Sequence, residues 1–434
     1  MTPTTGMLVF LAAIVLAVVI GTKTKCNIGI AALGMAFLIG TMLMGKSISE
    51  VIGYFPYRLL FTMMIVTFFY GYASENGAIQ GIANRMIYAT RNKPWALPIT
   101  LYVATFVVST MGAGAAATPV FMSPIAFGLA TQMGFNPLIA VVAVYLGSMG
   151  GGLQAWTGSG VMFKGIAANT LSEAEASSAS WGYSITLIAI CTLFFLCVYF
   201  VLKGYKVANT DVEKPAPFDR PQKITIGIIL VMMILIIVPV FCNMFLPNPA
   251  TKWFTSKFDI QVLSVFGIIL CAALNLAKTA DVVKNKIPWT TIIMICGMST
   301  MIGLAVDLGV AEVIGSWLGT SIPKLLVLPI IVLLSGLLSF VTTGPAVIFP
   351  LFIPMFPALS AATGISPVSM TIALFAGTGA TGMSPFSQGG SMALIGCKDD
   401  EMREKLLPKQ FICAFAFMAV YMVMALVGWF NLFR

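Results

Sequence analysis

The stretch GSMGGGLQAWTGSG, residues 147–160, interrupts an otherwise apolar part of the chain. Apolar runs flank it on both sides, at 138–146 and 161–168. Six of its fourteen residues are glycine, and each glycine inside a helix costs about 1 kcal/mol relative to alanine. The pattern therefore predicts a helix that is broken in its middle and covers residues 137–168.

The composition around this stretch is that of an integral membrane protein. Hydrophobic residues make up 59% of the 434 residues and charged residues only 9%, with a mean hydropathy of +0.98. Such a chain has too little polar surface to cover a water-soluble globule. Runs long enough to cross about 30 Å of hydrocarbon as helix recur along it. Regular spans are predicted at 7–22, 27–45, 57–73, 182–202, 224–245, 259–277, 287–304 and 410–432.

Positive charge predicts how these spans are oriented. Of the 24 Lys and Arg residues, 17 fall in five loops between spans. Cytoplasmic loops carry such an excess, so these loops are assigned to the cytoplasm and both termini to the external side of the inner membrane. The same rule accounts for the net charge of +9 without a nucleic-acid partner. The cytoplasmic loops are 21–26, 85–93, 203–223, 278–286 and 398–409.

The broken stretch has a counterpart near the other end of the chain. Residues 134–160 align without a gap on residues 364–390, at a spacing of 230, and five glycine and proline positions coincide. Upstream, GYASENG (71–77) resembles GLAVDLG (303–309) at a spacing of 232. Similarity at a nearly constant spacing indicates an internal repeat.

Each half also holds a second Gly- and Pro-rich segment ahead of its broken helix, at 109–124 and 341–354. The charge assignments require the chain to enter and leave the membrane on the same side around each of these segments. They are therefore predicted to be re-entrant hairpins, the first entering from the cytoplasm and the second from outside.

The predicted fold is an all-α polytopic membrane protein made of two inverted repeats, because the first half begins outside and the second begins inside. Each repeat contains three spans, an amphipathic helix, a re-entrant hairpin, a broken helix and a final span. The predicted boundaries are 1–205 for repeat 1, with hairpin 96–133 and broken helix 137–168, then a cytoplasmic linker at 206–223, and 224–434 for repeat 2, with hairpin 325–361 and broken helix 366–397.

Inverted repeats with broken helices at matching positions are typical of secondary transporters that bind their substrate near the membrane midplane. A break frees backbone N–H and C=O groups that lipid cannot satisfy. Half-helix N-termini suit an anion, whereas carbonyl ends and hydroxyls suit a hard cation such as sodium. Two alternatives stand beside this interpretation. The glycines could serve close helix packing, and any single Ser or Thr could bond its own helix.

Two overlapping sets of candidate ligands follow from this interpretation. The substrate-binding candidates are Ser109, Thr110, Gly112, Gln154, Thr157, Ser159, Thr342, Thr343, Gly344, Ser384, Ser387 and Gln388. The cation-binding candidates are Ser109, Gly112, Ser148, Gly150, Gly151, Thr342, Gly344, Thr378, Gly379 and Thr381.

The residues that the chain lacks argue against enzymatic chemistry. It has no histidine, and its hairpins and broken helices contain no Asp or Glu. General acid–base catalysis and His-containing metal sites are thereby disfavoured, and a proton relay through a buried carboxylate or histidine has no residues to use. We expect no enzyme, no cofactor and no metal beyond Na⁺. Lys164, the one charge in these segments, is either a counter-ion for the substrate or a side chain that extends to the external interface.

This layout resembles the ion transporter superfamily, in particular the divalent-anion:sodium symporters and the malonate/dicarboxylate carriers. The resemblance covers nearly the whole chain and depends on the paired tracts 109–119 with 147–160 and 342–350 with 377–390. It implies an elevator mechanism, a homodimeric scaffold, sodium near each hairpin tip and a C3–C4 dicarboxylate between the tips. Members with well-defined dicarboxylate sites carry Ser-Asn-Thr at the tips. The corresponding residues here are assigned as Ser109-Thr110-Met111 and Thr342-Thr343-Gly344.

The expected function is therefore sodium-coupled symport of a small organic anion across the inner membrane. Two alternatives stay open. The large membrane subunit of tripartite transporters shares the same core but works with a small membrane subunit and a binding protein. An anion channel could use the same hairpins, although neither tract contains a ring-forming charge or a hydrophobic gate.

Overall fold

A computed structural model describes residues 3–24, 26–207, 214–245, 249–310, 313, 322–339, 344–385, 387–397 and 399–434. Over these ranges the chain is helical and contains no strand, which confirms the all-α prediction. In the first half the helices are α1 (Pro3–Thr24), α2 (Ile28–Phe37), α3 (Ile48–Gly53), α4 (Tyr57–Glu75), α5 (Ala78–Ala89), α6 (Leu97–Val108), α7 (Gly114–Met133), α8 (Pro137–Gly152), α9 (Gly158–Ala168) and α10 (Glu173–Val201).

The described residues of the second half are helical as well. Its helices are α11 (Arg220–Phe245), α12 (Pro249–Lys257), α13 (Ile260–Ala273), α14 (Thr279–Asn285), α15 (Trp289–Asp307), α16 (Val327–Ser339), α17 (Phe349–Phe352), α18 (Phe356–Thr363), α19 (Pro367–Thr381), α20 (Gln388–Ala393) and α21 (Asp400–Leu426). The predicted second amphipathic helix falls on residues 311–321, nearly all of which lie outside the described residues.

Several of these helices are long and apolar enough to cross a bilayer. Four apolar helical segments of at least 18 residues qualify among the described residues, at Pro94–Met133, Glu173–Val201, Arg220–Pro239 and Asp400–Leu426. Shorter apolar helices, including Pro137–Gly152 and Ile260–Ala273, stand between them. The chain is an integral membrane protein, as its composition predicted.

Three helices begin earlier than the sequence suggested. α10 starts at Glu173 and α21 at Asp400, inside stretches expected to be loops. The cause is local capping. Ser172 and Glu175 form a reciprocal capping box, and the Asp399 side chain accepts from the Met402 N–H. α11 likewise begins at Arg220, within the segment expected to be a linker.

The first predicted hairpin is two helices joined by a sharp turn, named here the first tip (Ser109–Ala113). Gly112 and Gly114 adopt φ of 120° and 72°, a region that side-chain-bearing residues rarely enter. The two arms, α6 and α7, both pack along α8. In the second half, α16 packs along α19 in the same way.

Packing contacts recur between the halves at the repeat spacing. A Cβ on Gly147 would lie 2.8 Å from the Tyr102 carbonyl oxygen, and one on Gly377 would lie 2.3 Å from the Val332 carbonyl oxygen. Each glycine thus allows its broken helix to lie directly against a hairpin arm. Small residues permit such close approach between membrane helices.

The third spans of the two halves, α4 and α15, pack against each other, and the acidic residue at the end of each forms an ion pair with a lysine from the other half. Lys46 lies 2.8 Å from Asp307, and Lys286 lies 3.3 Å from Glu75. Each pair takes its acid from the end of one third span and its lysine from the other half of the chain. Hydrogen bonding to Asp307 raises the pKa of Lys46 above its ordinary value.

Candidate functional site

The first break comprises residues 153–157, between α8 and α9. Thr157 closes it, because its hydroxyl lies 2.6 Å from the Gly152 carbonyl oxygen and 2.8 Å from that of Gln154. The same oxygen accepts from the Gly160 N–H at 3.2 Å and caps α9. Both half-helix ends are therefore held by one buried threonine side chain.

The first tip lies directly on this break. The Ser109 hydroxyl donates to the Ser148 carbonyl at 2.7 Å, and the Thr110 hydroxyl accepts from the Trp156 indole N–H at 3.0 Å. Tyr70 of α4 donates to the Trp156 carbonyl at 3.0 Å. The structure thus places Ser109, Thr110 and Ser148 together, and adds a tryptophan and a tyrosine that the sequence reasoning did not identify.

The second break comprises residues 382–387, between α19 and α20. Ser387 performs the role of Thr157 there. Its hydroxyl donates to the Gly382 carbonyl, lies 2.8 Å from the Ser384 carbonyl oxygen and accepts from the Gly390 N–H at 3.2 Å. These contacts match those of the first break, position for position, at the repeat spacing.

The second hairpin contains, at the end of α16, a residue that the sequence analysis missed. The Ser339 hydroxyl donates to the Thr378 carbonyl at 3.0 Å, as Ser109 does to Ser148. Ser339 therefore makes in the second half the contact that Ser109 makes in the first, and it lies at the repeat spacing of 230 from Ser109. The constant spacing would have identified it. Thr342 and Thr343 lie outside the described residues.

Several predicted ligands are engaged in helix or packing contacts. The Thr378 hydroxyl lies within hydrogen-bonding distance of the Leu374 and Phe375 carbonyls of its own helix. The Ser148 hydroxyl likewise donates to the backbone carbonyl of Tyr145. A Cβ on Gly151 would lie 2.1 Å from the Phe106 carbonyl oxygen. For these positions the alternatives of back-bonding and close packing describe what the side chains or glycines do.

At the equivalent of Gly151, the Thr381 hydroxyl donates to the Gly336 carbonyl at 2.9 Å. Gly344 lies against the Phe349 ring and Thr378. Gly112 packs on the Tyr70 ring, which explains its lack of a side chain in addition to its positive φ.

The Ser159 hydroxyl, on the first turn of α9, is half-buried and has no hydrogen-bond partner among the described residues. Ser384 is fully buried in the second break. Gln388 begins α20, but its side chain lies outside the described set. Ser159 therefore remains a predicted hydroxyl that is free to bind a ligand.

Tyr145 joins the two breaks. Its hydroxyl donates to the Gly379 carbonyl at 2.6 Å, and its side chain contacts the positions of Gly382 and Gly389. Gly379 in turn lies against Met149. One face of α8 therefore contacts the second break directly, and the two Gly-rich tracts form one continuous cluster.

Two cavities lie beside this cluster. The larger, of about 650 Å³, is lined by Ala155 of the first break together with Arg58, Lys164 and Glu173. Lys164 pairs with Glu173 at 2.6 Å, so its ammonium group has a carboxylate partner at the cavity wall. The smaller, of about 280 Å³, lies between α15 and the second hairpin and is lined in part by Ser299 and Pro350.

The oxygen atoms of the cluster that could coordinate a cation are all in neutral groups. They are hydroxyls, carboxamides and backbone carbonyls, and no group of three or more His, Cys, Asp or Glu side chains suited to a metal occurs within the described residues. Neutral oxygens of this kind can coordinate a hard monovalent cation, and the N–H groups at the start of α9 can bind an anion.

Comparison with known proteins agrees with this arrangement. Residues 4–152 match the family described as the dicarboxylate carrier protein MatC N-terminus, and no curated protein matches the sequence. Among solved structures, the YdaH transporter of Alcanivorax borkumensis, reported to have an unusual topology, shares the fold with a TM-score of 0.57 at 17% identity. The match covers 99% of this chain and 97% of that chain. The first third of the chain is therefore similar to the dicarboxylate carriers, and the whole chain shares the fold of a solved transporter.

Proposed function

We propose that this protein is a sodium-coupled secondary carrier of a small organic anion, a C3–C4 dicarboxylate, that works by an elevator mechanism. The observation that carries the proposal is the pair of breaks. Each is closed by one hydroxyl side chain, Thr157 or Ser387, and each is bonded to a hairpin through Ser109 or Ser339. A soluble or purely structural helix bundle has no need of two such matched interruptions.

The anion would bind at the two half-helix junctions. Hydroxyls and N–H donors at the start of α9, Ser159 among them, suit a carboxylate, and Tyr145 brings the second break next to the first. A dicarboxylate with one group at each break would use both. The proposed substrate ligands remain Ser109, Thr110, Gly112, Gln154, Thr157, Ser159, Thr342, Thr343, Gly344, Ser384, Ser387 and Gln388.

Sodium would be held by the neutral oxygens of each tip and its adjoining helix end. A serine whose hydrogen is donated to a carbonyl, as in Ser109 and Ser339, keeps lone pairs for a cation. The proposed cation ligands are Ser109, Gly112, Ser148, Gly150, Gly151, Thr342, Gly344, Thr378, Gly379 and Thr381, and Ser339 joins them.

The inverted topology is supported by the ion pairs. Lys46 with Asp307 joins two residues assigned to the external side. Lys286 with Glu75 joins two residues assigned to the cytoplasm. A wrong assignment for either half would bring residues of opposite sides together. We therefore retain two inverted repeats, 1–205 and 224–434, both termini external and an inner-membrane location.

The elevator proposal assigns the hairpins and broken helices to a moving unit. The contact of Tyr145 with Gly379 and that of Ser123 with the Ala393 carbonyl connect the two halves within this unit. The remaining spans would form the scaffold, in which the ion pairs of α4 and α15 join the halves separately. Both cavities lie between these two groups of helices. The scaffold is proposed to dimerise.

The test is uptake of labelled malonate and succinate by proteoliposomes, with an imposed sodium gradient, a potassium control and a proton gradient. Saturable uptake that follows sodium supports the carrier. Flux that does not saturate would indicate the channel alternative. Absence of uptake under every gradient, restored only by a binding protein and small membrane subunit, would identify the tripartite alternative.

A further inference from the structure

Two glutamine side chains, Gln154 and Gln410, are fully buried beside the breaks. Gln154 lies in the first break itself. Gln410 lies on α21, outside the segments from which the candidate ligands were drawn. Burial of a carboxamide in a membrane protein is costly unless its donors and its acceptor are satisfied, so the hydrogen bonds of each side chain have to be accounted for.

Gln410 connects the two sides of the second break. Its Nε2 donates to the Met383 carbonyl at 2.7 Å and to the Gly390 carbonyl at 2.9 Å. Met383 precedes the turn closed by Ser387, and Gly390 follows it. One carboxamide therefore fixes the distance between a carbonyl inside the break and one on the first turn of α20.

Gln154 fastens the first break to the end of α8 through a single carbonyl. Its Nε2 donates to the Gly150 carbonyl, on the last turn of α8. The Thr157 hydroxyl lies 2.8 Å from the Gln154 carbonyl oxygen, so backbone and side chain of Gln154 both belong to the network that closes the break.

Both glutamines leave the same atom unsatisfied. Oε1 of Gln154 and Oε1 of Gln410 are buried and have no hydrogen-bond partner among the described residues. Exchanging the oxygen and nitrogen of either amide would place an oxygen against carbonyl oxygens, so the NH₂ groups must face the carbonyls. Each Oε1 is then an acceptor without a donor, and buried acceptors in native proteins almost always have a partner.

The two glutamines do not occupy equivalent positions in the repeat. At the repeat spacing, Gln154 corresponds to Ser384 and Gln410 to Ser180. Each half thus obtains one buried carboxamide at its break from a different helix. If both halves had inherited the same glutamine, the two side chains would occupy equivalent repeat positions. Because they do not, the feature that the halves share is an amide oxygen at the break.

We infer that Gln154 and Gln410 are ligands of the coupling cation, one at each break, with the NH₂ group fixing the break and Oε1 coordinating the ion. Amide oxygens are ordinary ligands for hard cations. The inference rests on the proposed sodium coupling. It assigns Gln154 to the cation as well as to the substrate-binding set, and it adds Gln410.

The experiment is equilibrium binding of radioactive sodium to the purified full-length protein in detergent, with potassium as the control ion. Gln154→Met and Gln410→Met keep the length of the side chain and remove both amide atoms. Each is expected to weaken sodium binding roughly tenfold or more. Gln80→Met is the matched control, because Oε1 of Gln80 is also buried without a partner among the described residues but lies on α5, which belongs to neither break.

The glutamate variants separate coordination from bracing. Gln154→Glu and Gln410→Glu keep an oxygen in place and lose the donor, so they should bind sodium more tightly than the methionine variants. If the glutamines only hold the breaks in place and bind no cation, the glutamate variants should bind sodium more weakly than the methionine variants, because a carboxylate repels the carbonyl oxygens. That order, or wild-type sodium affinity in both methionine variants, overturns the inference. If a methionine variant fails to fold, the glutamate variant is compared with wild type. A tenfold loss of sodium affinity in the glutamate variant then overturns the inference.

The proposed function fails by a different result. If the wild-type protein binds no sodium, sodium coupling is wrong, and the inference with it. If wild type binds sodium and only the glutamine substitutions are without effect, sodium coupling stands and the inference alone is wrong.

Discussion

The two breaks share a backbone geometry but not the side chains that hold it. Thr157 and Ser387 close them with the same three contacts. The first is then braced by Gln154 of the break itself, by Trp156 and by Ser184, whose hydroxyl accepts from the Ala155 N–H at 2.8 Å. The second is braced by Gln410 of α21. The difference shows that the position of the freed backbone groups is what both halves require, and that several side-chain solutions provide it.

The largest expected effect comes from a repeat position that holds glycine in the first half, Gly151, and threonine in the second, Thr381. Gly151→Ala would put a Cβ 2.1 Å from the Phe106 carbonyl oxygen, so it should destabilise the protein by about 1–3 kcal/mol and abolish uptake. The matched change in the second half, Thr381→Ala, removes only the bond to Gly336 and should cost about 1 kcal/mol. Thermal unfolding in detergent and proteoliposome uptake measure both. Equal losses would contradict the expectation that the Cβ clash at Gly151 costs more than the hydrogen bond of Thr381.

The next effect tests what the breaks have in common. Thr157→Val and Ser387→Ala each remove a hydroxyl that caps a helix and binds a carbonyl, and each should cost about 1–2 kcal/mol. Thr157→Ser keeps the hydroxyl and serves as the control, with near wild-type unfolding temperature. If only one of the two deletions lowers that temperature, the breaks are not held alike.

A smaller effect should follow from removing the hydrogen bond between Trp156 and Thr110, which joins the first break to the first tip. Trp156 has Phe386 as its counterpart in the sequence, a residue outside those described. Trp156→Phe removes the bond to Thr110 and should cost about 1 kcal/mol while reducing the rate of uptake. Thr110→Val removes the other partner, and the double variant should lose no more than the larger single loss. Additive losses would show that the bond is not what couples the tip to the break.

The smallest effect concerns the ion pairs at opposite ends of α4 and α15. Lys46→Met and Lys286→Met should each lower the unfolding temperature slightly, because both pairs are partly exposed, and high salt should shrink the loss. The pKa of Lys46 is raised by Asp307, so its contribution is constant below the ordinary lysine pKa of about 10.4 and disappears as pH rises through the raised value. Unfolding of Lys46→Met against wild type between pH 7 and pH 11 tests this, and a loss that grows with pH would contradict it.

Much of the helical framework could be predicted from the sequence, because membrane spans and glycine-rich breaks leave strong compositional signals. The interruption at 153–157 follows from glycine content alone, and the repeat spacing pointed to its counterpart. Boundaries set by caps were harder. α10 and α21 extend into charged stretches because Ser172 and Asp399 cap them, and hydropathy gives no weight to such contacts.

The site was predictable as a region and less so as a set of side chains. Tyr145 and Gln410 lie within ordinary apolar helices, where nothing in the local sequence separates them from packing residues. Their roles depend on which helix lies across from them, as with Tyr145 and Gly379. Ser339 was within reach, since strict use of the repeat spacing leads from Ser109 to it.

The hairpins and broken helices contain no Asp, Glu or His side chain. For the proposed carrier of weak acids this composition has a consequence for pH profiles. Between mildly acidic and neutral conditions the hairpins and broken helices have no carboxylate or imidazole to titrate, so within these segments the ionisation of the solute itself sets the dependence. The pH curve of uptake should then shift from one acid to another with the second dissociation constant of each, and the transporter would select an ionic species as well as a carbon skeleton.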